Sequence, residues 1–285
     1  MADLAVPAVY TIFLWWFSTG VILYLDGLPR GTFRWSMLGA SAFLVAGLVG
    51  LNASADDTGT LGAYCAFTCG LLAWAWVETS FLTGFITGPD RMPCPPEARG
   101  RRRFVLAVRA ILHHELAIVA AALAILAITW GRPNQVGLWT FLVLWVMRLS
   151  TKLNLFLGVR NLSEGLLPDH LRYMASFFAR RPMNLLFPVS VTLSTIACVL
   201  VLQAAGAAEP DGHLAAGLSL LGVLLALAVL EHWFLVLPIP FEKLWDWALR
   251  SRERRRGRAT RPVLPVLPVS VAAEAPPPPR ATAAA

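Results

Sequence analysis

What constrains this chain most is a series of seven apolar stretches, each long enough to cross a bilayer core as a helix of about 20 residues. They are Val6–Leu25, Phe33–Asn52, Leu61–Thr87, Phe104–Trp130, Val136–Val159, Met183–Ala205 and Leu214–Leu237. In lipid no water is present to satisfy backbone amides, so apolar runs of this length fold as helices whose hydrogen bonds are internal. The expectation is an all-α polytopic membrane protein with a seven-helix domain over residues 1–249 and a separate segment over 250–285. Composition supports this reading: 14% of the residues are charged, against about 25% in soluble domains. That is too few to coat a water-facing surface. The first stretch lacks the basic flank and small-residue cleavage site of a secretory signal, so it is expected to remain as a helix. Cys65, Cys69, Cys94 and Cys198 show no disulfide or zinc framework.

Lys and Arg distribute unevenly over the connecting segments. The first loop carries Arg30 and Arg34, the third Arg91, Arg99 and Arg101–Arg103, and the fifth Arg160, Arg172, Arg180 and Arg181. Nine more follow the last stretch, from Lys243 to Arg280. The second and sixth loops carry none and the fourth only Arg132. Basic loops stay on the cytoplasmic side, so the alternation predicts a periplasmic N-terminus and a cytoplasmic C-terminus in the bacterial inner membrane. The net charge of +7 is thereby a matter of topology, and no nucleic-acid partner is expected. Arg101, Arg102, Arg103, Arg180, Arg181, Arg254, Arg255 and Arg256 are candidates for contact with anionic lipid or a docking partner. Beyond Arg261 the Pro/Ala-rich tail has nothing to bury and is expected to be disordered.

Ionisable side chains inside a bilayer are costly and mark functional candidates. Glu78, His113, His114, Glu115, Arg148, Lys152, Asn154, Glu231 and His232 fall at similar depth in the inner halves of four stretches. Three carboxylates against Arg148 and Lys152 nearly balance, which predicts one paired polar cluster. Several chemistries are open to it: an ion-pair network that fixes helix packing, a histidine ligand to the magnesium of a chlorophyll-type pigment, a metal-dependent membrane enzyme, or a proton relay or transporter. Against the enzyme, the chain has no Glu-x-x-His pair of the di-iron type, and His113-His114-Glu115 is not a zinc motif. His113 and Glu115, two residues apart, point to nearly opposite helix faces.

The fifth loop places Leu171, Met174, Phe177 and Phe178 at helical spacing beside Arg172, Arg180 and Arg181. It reads as an amphipathic helix near 166–182, lying either on the inner membrane surface or on the loops of its own bundle. Gly84 and Gly88 form a small-xxx-small pair suited to close helix contact. Trp15, Trp16, Trp35, Trp130, Trp139 and Trp233 fall mostly where an interfacial aromatic belt would lie.

Six segments carry a resemblance: YTIFLWWFSTGVILYLDGLP, WVETSFLTGFITGPDRMPCP, RAILHHELA, LWVMRLSTKLNLFLGVRN, LPDHLRYMASFF with RRPMNLLFPVS, and EHWFLVLPIPFEKLWDWAL. In order, from Tyr10 to Leu249, they resemble the PuhE family of photosynthetic complex assembly proteins of purple phototrophic bacteria. The resemblance implies a role in building the reaction centre and its core light-harvesting antenna, with those subunits as partners and bacteriochlorophyll or a precursor as a ligand. It supplies no catalytic residues, so the polar cluster rests on depth alone.

Overall fold

The computed structural model describes residues 4–250. Seven helices cross: α1 (Ala5–Asp26), α2 (Phe33–Ser54), α3 (Thr60–Leu82), α4 (Gly100–Thr129), α5 (Val136–Leu157), α6 (Leu186–Ala207) and α7 (His213–Phe234). No strand occurs among the described residues. All seven are long and apolar enough to span a bilayer, and the chain is a multi-pass membrane protein. The segment from residue 251 onward, including Arg254, Arg255 and Arg256, lies outside the described residues.

The helices are not equivalent. In α3 and α7, 44% and 56% of the apolar window is buried, against 11–22% in the other five. These two form the axis of the bundle. Their neighbours present apolar faces outward, as lipid allows. Phe67, Leu71, Val77, Ile118, Ile125, Phe141, Leu220 and Leu224 pack in the central core. Close approach of α3 and α5 depends on paired glycines: a Cβ at Gly70 would stand 2.7 Å from the Gly137 carbonyl oxygen, and one at Gly137 would stand 2.8 Å from that of Ala66.

The third apolar stretch does not stay helical to Thr87. Thr83 caps α3, and Gly84 follows at φ +81°, a conformation open chiefly to glycine. The chain then runs as irregular backbone packed into the bundle, the only setting in which such backbone is tolerated at this depth. A Cβ on Gly88 would fall 2.0 Å from the Arg109 carbonyl oxygen, and Thr87 O accepts the His114 backbone amide at 2.8 Å. The two glycines serve this turn and its seating on α4, not a helix–helix crossing.

The fifth loop also differs from an α-helix lying on lipid. Asp169–Phe177 is a 3-10 helix. At three residues per turn, Leu171, Met174 and Phe177 line up on one side, and all three are buried. Leu171 and Met174 pack on Phe81 and Leu82 at the end of α3. A second 3-10 helix, Phe241–Trp245, follows α7. Trp245 donates its ring N–H to Trp16 O at 2.9 Å, and Trp16 donates to Leu244 O at 2.9 Å. The reciprocal pair fastens the segment after α7 to α1.

Candidate functional site

Between α1, α3, α5 and α7 lies a cavity of about 350 Å³. Its upper wall is apolar and aromatic, with Trp15, Trp74, Phe81, Leu144 and Met147. Its floor comes from the fifth loop and the segment after α7: Leu162, Leu166, Met174, Phe177, Phe241 and Trp245. Glu78, Arg148, Lys152 and Glu231 also line it.

Each charged side chain arrives by simple helical geometry. Arg148 and Lys152 are one turn apart on α5 and share a face. Arg148 Nη2 donates to Glu78 Oε2 at 2.9 Å, tying α5 to α3. Lys152 Nζ donates to Glu115 Oε1 at 2.6 Å, tying α5 to α4. Glu231 of α7 accepts from Trp15 Nε1 at 2.7 Å. The Glu78 side chain is 8% exposed and that of Arg148 40%, so the guanidinium meets the open space of the cavity more than its partner does. Lys152 Nζ also stands 5.9 Å from the centre of the Phe81 ring.

The remaining sequence candidates separate from this group. His113 is exposed on the outer face of α4. His114 is fully buried, its ring 4.3 Å from that of Phe81 at an interplanar angle of 31°. Neither of its ring nitrogens has a hydrogen-bond partner, and it does not line the cavity. His232 and Asn154 lie in a different network. His232 Nδ1 stands 2.9 Å from Ala228 O, which can only accept, so that nitrogen carries the proton. Its Nε2 meets Ser150 Oγ at 2.9 Å. Asn154 donates to Ser190 Oγ at 3.2 Å and to Ser150 O at 3.0 Å. Asn184 donates to Asn154 Oδ1 and Gly158 O, while its Oδ1 accepts from the amides of Leu186 and Phe187 at the start of α6.

Of the basic candidates, Arg101 and Arg102 are exposed at the start of α4. Arg103 turns inward: it donates to Phe156 O and Phe177 O at 3.2 and 2.6 Å and stacks on the Phe156 ring at 4.2 Å. It clamps α4 to the floor of the cavity and does not present itself to lipid. Arg180 pairs with Glu164 at 3.5 Å. Arg181 is exposed with its stem against Gly158.

Trp15, in the middle of α1, is a site residue that the sequence placed in an interfacial belt. Its partner Glu231 could have pointed to it, because an intramembrane carboxylate needs a donor at its own depth. Asn184 and Ser190 were missed because uncharged polar residues are common in membrane helices and give no contrast.

Among the described residues no imidazole lines the cavity, so the magnesium of a pigment would find no histidine ligand there. Among the described residues, no three His, Cys, Asp or Glu side chains group closely enough to hold a metal ion. A guest would be held by the apolar walls and the charged edge instead.

No solved structure matches this chain. It is 42% identical over 260 residues to a protein of Rhodobacter capsulatus named "Uncharacterized 30.4 kDa protein in puhA 5'region", covering 90% of this chain and 94% of that one. Residues 1–256 match a single family along their whole length. The chain belongs to the family described as "Protein of unknown function (DUF3623)".

Proposed function

We propose that this protein is an assembly factor for the bacterial photosynthetic apparatus, acting in the inner membrane on the reaction centre and core antenna. The observation that carries the proposal is the near full-length relationship to a protein whose name places it in the puhA 5′ region of a purple bacterium. The six segments that resemble the PuhE family support the same reading, and they include the charged edge and most of the floor of the cavity. The site suits holding a guest: its ion pairs brace three helices, while its interior is left open.

In this reading the N-terminus is periplasmic and the basic loops cytoplasmic. A reporter fused after Asp57 reads periplasmic and one after Arg102 cytoplasmic, and the opposite pattern would invert the scheme. Deleting the gene lowers the near-infrared absorbance of assembled reaction centre and core antenna while respiratory growth stays normal. Unchanged absorbance in the deletion strain would remove the assembly role.

A further inference from the structure

The charges around the cavity do not cancel. Glu115 is matched by Lys152, and Glu78 by Arg148. Glu231 has no cation within ion-pair distance among the described residues, and its partner is the neutral indole N–H of Trp15. A neutral donor orients a carboxylate without removing its charge. Glu78, Arg148 and Glu231 all line the cavity, so the three belong to one polar edge.

A second observation is independent of this imbalance: Trp15, Trp74 and Trp245 line the same space. Indole faces attract cations, most strongly where water is excluded.

We infer that the cavity is a binding site for a hydrophobic organic cation, an apolar body bearing a protonated nitrogen with N–H donors. Its charge offsets the surplus carboxylate of Glu231, and its body replaces lipid against the indoles. A volume of about 350 Å³ is at the lower end of small-molecule sites, which suits a body of two or three fused rings. Anions of the same shape are rejected because they would add to the surplus charge.

The inference concerns the cavity alone and stands apart from the assembly role, which the deletion strain tests. The full chain in nanodiscs of zwitterionic lipid is titrated with an aminoacridine cation and, separately, with anthracene carboxylate, reading tryptophan quenching against empty nanodiscs. The cation quenches saturably and the carboxylate does not. Glu231→Gln keeps the size of the side chain and an acceptor for Trp15 while removing its charge. It weakens the cation by about tenfold or more, a difference of at least about one decade in Kd. Asp56→Asn, at an exposed ion pair with Arg132, leaves the affinity unchanged. Equal binding of cation and anion, or cation binding indifferent to Glu231→Gln, would overturn the proposal. So would the absence of saturable quenching in the unaltered protein, and that result requires no variant to fold.

Discussion

Helix α5 carries two polar pairs, and their contrast shows what each side of the bundle is for. Arg148 and Lys152 lie one turn apart, as do Ser150 and Asn154. The pairs are offset by two residues, about 200° around a helix, so they face opposite ways. The Ser150/Asn154 side is uncharged and closed: Asn154, Asn184, Ser190 and His232 bond to one another and to backbone carbonyls, joining α5, α6 and α7. The Arg148/Lys152 side is charged, borders a cavity, and includes an unpartnered oxygen on Glu78. A fully satisfied buried network rigidifies, whereas a cavity is space that packing has not filled. The first region is closed on itself, and the second ties α5 to α3 and α4 beside an open space.

The largest effect is expected on the closed side. Asn184→Ala removes donors to Asn154 and Gly158 and the cap on two amides of α6. Loss of a cap and of buried partners together costs roughly 3 kcal/mol, read as a lower unfolding midpoint in detergent. Cation titration of the protein that remains folded is unaffected. A neutral Asn184→Ala would dissolve the contrast, because the closed network would then hold nothing.

On the charged side the stakes are smaller, since the side chains of Lys152 and Glu115 are 19% and 22% exposed. Removing one partner of a fully buried pair costs about 3–5 kcal/mol, chiefly because the other charge is stranded. With this partial exposure, Lys152→Met is expected to cost roughly 2 kcal/mol. Adding Glu115→Gln should recover most of that loss, because no charge is left alone. If the double variant costs the sum of the singles, the two residues are uncoupled. The pair would then not be a brace between α4 and α5.

The sequence made the seven helices legible because each apolar stretch is long enough to need no tertiary information. It misplaced ends where local chemistry decides. Gly84 at positive φ stops α3 five residues before the apolar stretch runs out at Thr87, since hydrophobicity marks depth and not backbone conformation. Depth also proposed the cluster, and depth cannot resolve rotation about a helix axis. Glu78, Glu115, Arg148, Lys152 and Glu231 come together, whereas His113 faces outward, His114 lies behind Phe81, and His232 and Asn154 fall on the far side of α5. Three of these separations follow from spacing alone, given the faces that carry Glu115, Arg148 and Glu231. The place of His114 does not, because it depends on the irregular segment after α3 that receives its backbone amide.

His114 belongs to neither region, and the smallest predicted effect tests that separation. The ring is fully buried, packs against Phe81 at an interplanar angle of 31°, and has both nitrogens unpartnered. A buried polar group without partners costs about 1–3 kcal/mol, and replacing it with an apolar group of like shape can be neutral or stabilising. Phe keeps the ring contact with Phe81 and removes both unsatisfied nitrogens, but it brings one more ring atom into a packed site. Overpacking of that kind opposes the gain. His114→Phe is therefore expected to shift stability by no more than about 1 kcal/mol and to leave cation affinity unchanged, as judged by the unfolding midpoint and the quenching titration. A loss above about 2 kcal/mol would mean that the imidazole makes a polar contact and belongs to one of the two networks. A stable His114→Phe protein that fails to restore near-infrared absorbance to the deletion strain would give this histidine a functional role outside the cavity.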